Sequence, residues 1–468
     1  MNAKLAGLLG GIAVFASMLL LPAPDGMSAT AWMVAALTIL MAIWWMTEAV
    51  PLTVTALLPF LMVPLFGIMP AGAIAKEYYS PILFLILGGA FIALAIERVG
   101  LHRRLALALL ARAGGTAWGL LFAFMMATAI LSMFISNTST ALIMMPIAIA
   151  VLAAAKTAEG ETSGMAGALA MGIAFAASIG GLGTLVGSPT NAIAAGLIEK
   201  ALNLQINFAL WAAYGVPIVL LAIPLAMVIL IRVQRLPRDG FDVASAKAAI
   251  GHAGTWTVAE KRLVPVFLLV FTSWVAQPWV EPLLPAGALT DGTIAVAGAM
   301  LLFVVPDGTG RPLLVWKEAD RAPWGVIMMF GGGLALAAAI TESGLAAWLG
   351  DVLAPLRHVN PIVIALILCG LVVLITEFAS NVATASGVMP VVAALIGATG
   401  VDPLVLAMPA ALAASWGFML PSGTGPNAIA WASGHIALPR MLKAGLWLDF
   451  AGIPLIVGVC WAVTAILR

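Results

Sequence analysis

Hydrophobic positions along this chain fall in long blocks that short polar segments separate. Eleven of the blocks are long enough to cross a bilayer core of about 30 Å, which takes about 20 helical residues. They cover residues 5–22, 29–48, 51–69, 81–98, 165–198, 209–231, 262–280, 288–305, 323–342, 403–434 and 444–467. The pattern predicts an all-α polytopic membrane protein with about 11 transmembrane helices.

Two further apolar stretches, 117–155 and 361–398, are about 40 residues long, and each carries a Ser-Asn dipeptide near its middle. Non-helical backbone at membrane depth occurs where protein or a water-filled cavity satisfies its polar groups. Each stretch is therefore either a pair of tight spans or a re-entrant helical hairpin with Ser-Asn at its tip. We expect two re-entrant hairpins.

The two dipeptides lie 244 positions apart, and several other short motifs repeat at the same offset. The repeated pairs are 136–137 with 380–381, 88–89 with 332–333, 100–101 with 344–345, 140–141 with 384–385, and 145–146 with 389–390. This regularity indicates an internal duplication. In a membrane protein, duplicated halves with matching polar interruptions point to a transport site at the interface between the repeats.

Composition and charge place the chain in a membrane and set its orientation. Hydrophobic residues make up 63% and charged residues 9%, against about 25% charged in soluble domains. A net charge of +1 gives no reason to expect nucleic-acid binding, and the two cysteines lack metal-site spacing. With a cytoplasmic N-terminus, 17 of the 21 Lys and Arg residues fall on the cytoplasmic side. The C-terminus is then outside, the two Ser-Asn stretches enter from opposite faces, and the repeats are inverted.

This orientation predicts a domain plan. Residues 1–28 form an N-terminal span outside the repeat, 29–240 the first repeat, 241–260 a cytoplasmic linker and 261–468 the second repeat. Each repeat holds one Ser-Asn stretch (117–155 and 361–398) followed by one interrupted helix (165–198 and 403–434).

The hairpin tips and helix interruptions carry the candidate chemistry. A helix–turn–helix tip offers carbonyl and hydroxyl oxygens to a hard monovalent cation, and its free N–H groups suit an anion. Ser132 and Thr376, four residues before each Ser-Asn, add a hydroxyl on the same helical face. The interruptions at 187–194 and 423–430 combine Gly, Ser or Thr, and Pro, as in a helix that stops and restarts.

These regions lack basic residues. No Lys, Arg or His lies between Arg112 and Lys156, between Lys156 and Lys200, or between His358 and His435. An anion bound there would meet neutral dipoles, so bound cations should supply the compensating charge. This is a physical argument for cation-coupled anion transport.

Four motifs together resemble the divalent anion/sodium symporter family, the dicarboxylate and citrate carriers. They are the paired Ser-Asn signatures, the interruptions Gly-Ser-Pro-Thr-Asn and Gly-Thr-Gly-Pro-Asn, the run at 45–51 and the Gly-rich run at 331–335. The likeness covers essentially the whole chain. It implies sodium-driven symport of a C4-dicarboxylate such as succinate, malate or fumarate. It also implies a homodimer in which the hairpins and adjoining helices move as a rigid elevator against a fixed scaffold, with both domains drawn from both repeats. The expected location is a bacterial inner membrane.

The resemblance also implies residue roles, with Na⁺ as coupling ion at two or more sites. The implied sodium ligands are Ser132, Ser136, Asn137 and Gly187 at one site, and Thr376, Ser380, Asn381 and Gly423 at another. The implied substrate ligands are Asn137, Thr138, Ser188, Asn381 and Thr424. The chain departs from the family at Val382, where a threonine is expected, and this leaves substrate identity open.

Other functions fit parts of this sequence pattern. A sulfate or citrate carrier, or a sodium-independent dicarboxylate exchanger, would use the same architecture. A lipid-modifying enzyme would need a nucleophile and base or a metal cluster, and no such motif occurs, so no enzymatic activity is expected. A cation/proton antiporter would favour an acidic pair at the helix breaks, where this chain has Asn and Ser. Glu377, beside the second tip, has either a coupling role or a structural hydrogen bond.

Overall fold

The computed structural model describes residues 3–158, 160–239, 241–251 and 254–467, and nearly all of its secondary structure is helical. The helices up to the middle of the chain are α1 (Ala3–Leu20), α2 (Ala29–Thr47), α3 (Leu52–Thr55), α4 (Leu58–Leu65), α5 (Ala71–Glu77), α6 (Pro81–Val99), α7 (Leu101–Leu110), α8 (Ala117–Ser132), α9 (Asn137–Ala154), α10 (Gly164–Gly181), α11 (Pro189–Leu202) and α12 (Phe208–Gln234). Those that follow are α13 (Val243–Ala249), α14 (Val258–Val280), α15 (Asp291–Val304), α16 (Trp316–Ala319), α17 (Trp324–Glu342), α18 (Leu345–Leu353), α19 (Pro361–Phe378), α20 (Asn381–Thr399), α21 (Pro403–Ala413), α22 (Gly425–Ala432) and α23 (Leu438–Leu467). Short 3₁₀ turns cover Glu281–Leu283 and Ala354–His358.

The all-α polytopic class is confirmed. Among the described residues, ten helices have at least 18 residues and enough apolar character to cross a membrane. Three of them, α9, α19 and α20, are arms of the two Ser-Asn stretches. The count of eleven spans and the re-entrant course of the hairpins stay predictions.

The duplication is visible in the order of elements. In each half a long helix (α6, α17) is followed by a short amphipathic helix (α7, α18), a helix pair (α8–α9, α19–α20), a broken helix (α10–α11, α21–α22) and a long final helix (α12, α23). Gly100 and Gly344 occupy the same turn in the two halves, with φ of 84° and 83°. Only glycine enters this left-handed region without steric cost, which explains the repeated Gly-Leu.

The predicted span 51–69 is not one continuous helix. The structure has two short helices, α3 and α4, separated at Ala56 and Leu57. Tyr78 satisfies the backbone groups at the break: its hydroxyl donates to Ala56 O at 2.8 Å and accepts from Phe60 N at 3.2 Å. Pro59 occupies the second position of α4, where the N–H that it lacks would have no helical partner. The partner that makes the break possible lies 22 residues further along the chain.

The linker region also holds more structure than a solvated connection. Helix α13 packs on α9 and buries Val243 and Ala246. Lys247 Nζ donates to Ala113 O at 2.7 Å. At the end of the linker Arg104 pairs with Glu260 at 2.7 Å. The described part of the linker is therefore held against the first half.

The helix pairs and broken helices form the centre of the molecule. Helix α10 packs against α8 and α9, and α21 packs in the same way against α19 and α20. The halves interlock, because α22 packs on α9 and α10, and α11 packs on α20. Of the residues on α10, nearly all are buried. This packing brings the tip of each helix pair to a helix break.

Candidate functional site

The first Ser-Asn tip is a short turn between the end of one helix and the start of the next. Helix α8 ends at Ser132 and α9 begins at Asn137. Ser136 is the N-cap of α9, and its hydroxyl accepts a hydrogen bond from Ser139 N at 3.1 Å. This local capping explains why Ser precedes Asn in the motif. Asn137 is then the first helical residue, with its side chain turned to the helix break of α10 and α11.

Oxygen atoms converge around the Asn137 carboxamide. One of its terminal atoms lies 2.8 Å from Ser132 Oγ and 3.2 Å from the carbonyl oxygens of Ala177 and Gly187. Ser132 Oγ also donates to Ala177 O at 2.6 Å. When the amide nitrogen occupies that position, it donates to both carbonyls. When the amide oxygen occupies it, several neutral oxygens face one another, which is the ligand set that a hard monovalent cation prefers.

Two glycines allow this convergence. A Cβ at Gly181 would lie 2.3 Å from Asn137 Oδ1, and one at Gly187 would lie 2.6 Å from Gly181 O and 3.1 Å from Ser132 O. Any larger residue would push the helix break away from the tip. The glycines are therefore required by close backbone approach at this site.

The second tip reproduces the first. Helix α19 ends at Phe378 and α20 begins at Asn381, with Ser380 as N-cap. Thr376 Oγ1 lies 2.9 Å from Asn381 Oδ1 and donates to Ala414 O at 2.7 Å. The hydroxyl, the amide five residues later and a carbonyl of the broken helix thus recur in both halves. In the second site Gly423 lies near the tip, since a Cβ there would be 3.6 Å from Glu377 O.

The structure brings some of the predicted sodium ligands together and gives others a different role. Ser132, Asn137 and Gly187 are brought together, as are Thr376 and Asn381. The hydroxyls of Ser136 and Ser380 cap their helices instead of entering the oxygen clusters.

Residues that the sequence reasoning did not assign hold the two breaks. Asn191 Nδ2 donates to Gly181 O at 2.7 Å and Thr184 O at 2.8 Å, and Asn427 Nδ2 donates to Leu420 O at 3.0 Å. Both side chains are fully buried, and neither Oδ1 has a partner among the described residues. The available signal was an Asn four residues after the Gly of each break, at 187–191 and 423–427. These amides replace helical hydrogen bonds that the breaks remove.

Glu377 has a structural role in this arrangement. Its carboxylate is 1% exposed and accepts from the backbone N–H groups of Phe418, Met419 and Leu420, at 2.5 to 3.3 Å. These three residues form the loop before Gly423. The Asp449 carboxyl group on α23 is also buried and lies within hydrogen-bond reach of the Glu377 carboxylate. Glu377 therefore anchors the second helix break.

Two of the implied substrate residues, Ser188 and Thr424, line different cavities. A cavity of about 230 Å³ is lined by Ser136, Ser139 and Ser188. A second cavity of about 520 Å³ is lined by Ser380 and Thr424. No single described cavity includes all five implied ligands.

Thr138 connects the halves. A Cβ at Gly425 would lie 2.3 Å from Thr138 Oγ1, so the first tip contacts the second break directly. Val382, at the position equivalent to Thr138, packs among apolar side chains.

Charged residues also line both cavities, although they are distant in sequence from the tips. Arg321 and Glu97 line the first cavity, and Glu48 lines the second. Glu48 ends α2 in the left-handed region, with φ of 47°. Arg321 lies outside the apolar stretches, in the loop before α17, so the sequence pattern gave no sign of its place in the cavity. Anions that approach the first cavity would meet this guanidinium.

The chain matches the family model described as "Sodium:sulfate symporter transmembrane region" over residues 2–467. It belongs to this family and is a membrane transport protein, not an enzyme. It is 38% identical to the sodium-dependent dicarboxylate transporter SdcS of Staphylococcus saprophyticus, across 98% of this chain and 91% of the relative. The SdcS protein of Staphylococcus aureus strain USA300 is 36% identical, across 99% and 92% of the two chains.

Two solved structures share the fold. The YdaH transporter of Alcanivorax borkumensis matches with a TM-score of 0.56 at 16% identity, across 99% of this chain and all of that one. MtrF of Neisseria gonorrhoeae, an antimetabolite efflux pump, matches with a TM-score of 0.58 at 11% identity, across 98% and 94% of the two chains. At such identities the likeness is one of helical architecture alone.

Proposed function

We propose that this protein is a secondary active transporter that imports C4-dicarboxylates, such as succinate, malate or fumarate, with sodium. The observation that carries the proposal is the paired cluster of neutral oxygens: Ser132 with Asn137 and Ala177 O, and Thr376 with Asn381 and Ala414 O. Neutral amide, hydroxyl and carbonyl oxygens suit Na⁺. The names of the SdcS relatives support both sodium and the dicarboxylate.

Each oxygen cluster holds one sodium ion in this proposal. Asn137 and Asn381 contribute to both cation and substrate binding, and Thr138, Ser188 and Thr424 bind the carboxylates with hydroxyl and backbone N–H groups. Ser136 and Ser380 cap the second helix of each tip and so hold Asn137 and Asn381 beside the ion. Cation occupancy then raises anion affinity by supplying the charge that the tips lack.

The packing supports an elevator form of alternating access. The units α8–α11 and α19–α22 contact one another extensively and form a transport domain drawn from both repeats. They move as an elevator against a scaffold that includes α2, α6, α14, α15 and α17. We place the protein as a homodimer in a bacterial inner membrane, with the N-terminus in the cytoplasm and the C-terminus outside.

Sulfate is the competing substrate that a specific observation favours, since the family description names it. Val382 stands where the first tip has Thr138, so the second tip has one hydroxyl fewer. This difference between the tips bears on the choice between a dicarboxylate and sulfate. Citrate and sodium-independent exchange use the same architecture and are separated by the same test.

A thermal-shift screen of the purified protein tests substrate and coupling ion together. Succinate, malate, fumarate, citrate and sulfate are each added in sodium or potassium buffer at equal ionic strength. Ligands that bind the folded state raise the melting temperature by mass action. We expect stabilisation by succinate in sodium and none in potassium. Stabilisation by sulfate alone would contradict the substrate, and an equal shift in potassium would contradict the coupling ion.

A further inference from the structure

A groove on the outer face of α12 and α23 combines two cations with apolar walls. Its volume is about 450 Å³. Arg232 from α12 and Lys443 from α23 line it, together with Trp447, Leu225 and Ile229. The groove lies outside both cavities at the helix tips. It is therefore separate from the candidate transport site.

The groove has a polar end and an apolar end. Arg232 lies in the last turn of α12, whereas Leu225 lies seven residues earlier, about 10 Å along the helix. Lys443 lies near the start of α23, and Trp447 follows one turn later. Since both lining cations come from these ends of the two packed helices, the charge is concentrated at one end of the groove. The predicted orientation places this end on the cytoplasmic side.

Neither cation has a counter-charge. Among the described residues, no acidic group lies within ion-pair distance of Arg232 or Lys443. Both residues are exposed. The only acidic residue on α23, Asp449, is 5% exposed and lies beside Glu377. Nearby Arg440 differs, since it donates to Gln234 Oε1 at 2.9 Å.

We propose that this groove binds an anionic phospholipid, with the lipid phosphate between Arg232 and Lys443. A guanidinium suits bidentate contact with phosphate, and an ammonium adds a point charge. The exposed Trp447 lies where tryptophan favours the headgroup level. One acyl chain runs along Leu225 and Ile229. Anionic lipids are concentrated in the cytoplasmic leaflet, which matches the predicted side of the groove.

A second copy of the chain fits this face less well. A two-fold interface presents the same patch from both subunits. It would bring two Arg232 and two Lys443 side chains together without an acid to neutralise them. Charge complementarity therefore favours the lipid.

Native mass spectrometry of the full-length protein tests the proposal. The probes are dioleoyl phosphatidylglycerol and dioleoyl phosphatidylcholine, which differ in headgroup charge. Each cation near an anionic lipid contributes about a fivefold gain in affinity, so Arg232→Ala/Lys443→Ala should weaken phosphatidylglycerol binding about 30-fold. Phosphatidylcholine binding should be unchanged. The charge-preserving variant Arg232→Lys/Lys443→Arg should retain most of the preference.

The matched control removes one Arg and one Lys from the same predicted side. Arg103 and Lys317 are exposed, and neither lines the groove between α12 and α23. Arg103→Ala/Lys317→Ala should bind phosphatidylglycerol like the parent. Equal losses in both double variants would overturn the site, as would equal parent affinity for the two lipids. Complete displacement by soluble glycerol phosphate would indicate a free-phosphate site, and cross-linking of Trp447→Cys to a second copy would indicate a protein interface.

Discussion

At the scale of single residues, the spacing of the duplicated motifs led to side chains that the structure brings together in the same way in both halves. Ser132 with Asn137 and Thr376 with Asn381 make equivalent contacts, because the two halves repeat the same local helix geometry. Other contributors were not predictable in this way. Asn191 and Asn427 act on carbonyls freed by helix breaks, and Arg321 reaches its cavity from a distant loop.

Glu377→Gln should destabilise the protein. A glutamine keeps one acceptor oxygen but places an N–H₂ group against backbone N–H donors, so at least one charge-assisted hydrogen bond of about 1.5–3 kcal/mol is lost. Thermal melting in detergent should show a lower melting temperature.

Two variants control for this effect. Glu342→Gln, at the exposed end of α17, should melt like the parent. Asp449→Asn should melt at the same or a higher temperature, because its amide N–H₂ group can donate to the adjacent Glu377 carboxylate and no second acid remains beside it. If Glu377→Gln also melted like the parent, the anchoring role of Glu377 would be wrong.

At the scale of helices, the breaks at 182–188 and 414–424 were predictable from Gly, Ser or Thr, and Pro in sequence. The break within 51–69 was not, since Tyr78 compensates it through tertiary contact. Amphipathic helices α7, α13 and α18 were hidden in segments that hydropathy assigns to loops. A short sequence motif thus predicts a helix break when the capping residues lie within the motif. It does not predict a break whose hydrogen-bond partner lies far along the chain.

Gly181→Ala should impair the first cation site. The added Cβ would lie 2.3 Å from Asn137 Oδ1, so the carboxamide must move. We expect at least about a tenfold rise in the sodium concentration needed for half-maximal uptake, which corresponds to about 1.4 kcal/mol. Gly387→Ala, on α20 with nothing within 4 Å of the new Cβ, is the matched control. Unchanged sodium dependence in Gly181→Ala would argue against the site.

The loop between α15 and α16 should respond to acid. Hydrogen bonds from Arg98 and Thr309 hold the pKa of Asp307 well below its usual value near 4. A depressed pKa stabilises the folded state above the unfolded value, and this contribution is lost as the pH falls toward the folded value.

Melting temperature should therefore fall below about pH 4. Asp307→Asn should lower it at pH 7 and weaken its acid dependence. An Asp307→Asn variant with the parent's full acid profile would exclude Asp307 as the cause.

At the scale of the whole molecule, the sequence predicted a duplicated helical membrane protein, and family membership confirms the transport class. The sequence could not predict that α22 packs on α9 or that Thr138 contacts Gly425. These contacts join residues of the two halves that are about 290 positions apart in the chain. In the proposed mechanism, this interlocking lets two cation sites act on one substrate.

The most direct test of this account is labelled succinate uptake by purified protein in liposomes. The parent should accumulate succinate under an inward sodium gradient and not under an equal potassium gradient. Asn137→Ala and Asn381→Ala should each abolish uptake, while Asn203→Gly, at an exposed helix end with positive φ, should retain it. Uptake that is indifferent to sodium, or undiminished in both tip variants, would contradict the paired sodium sites.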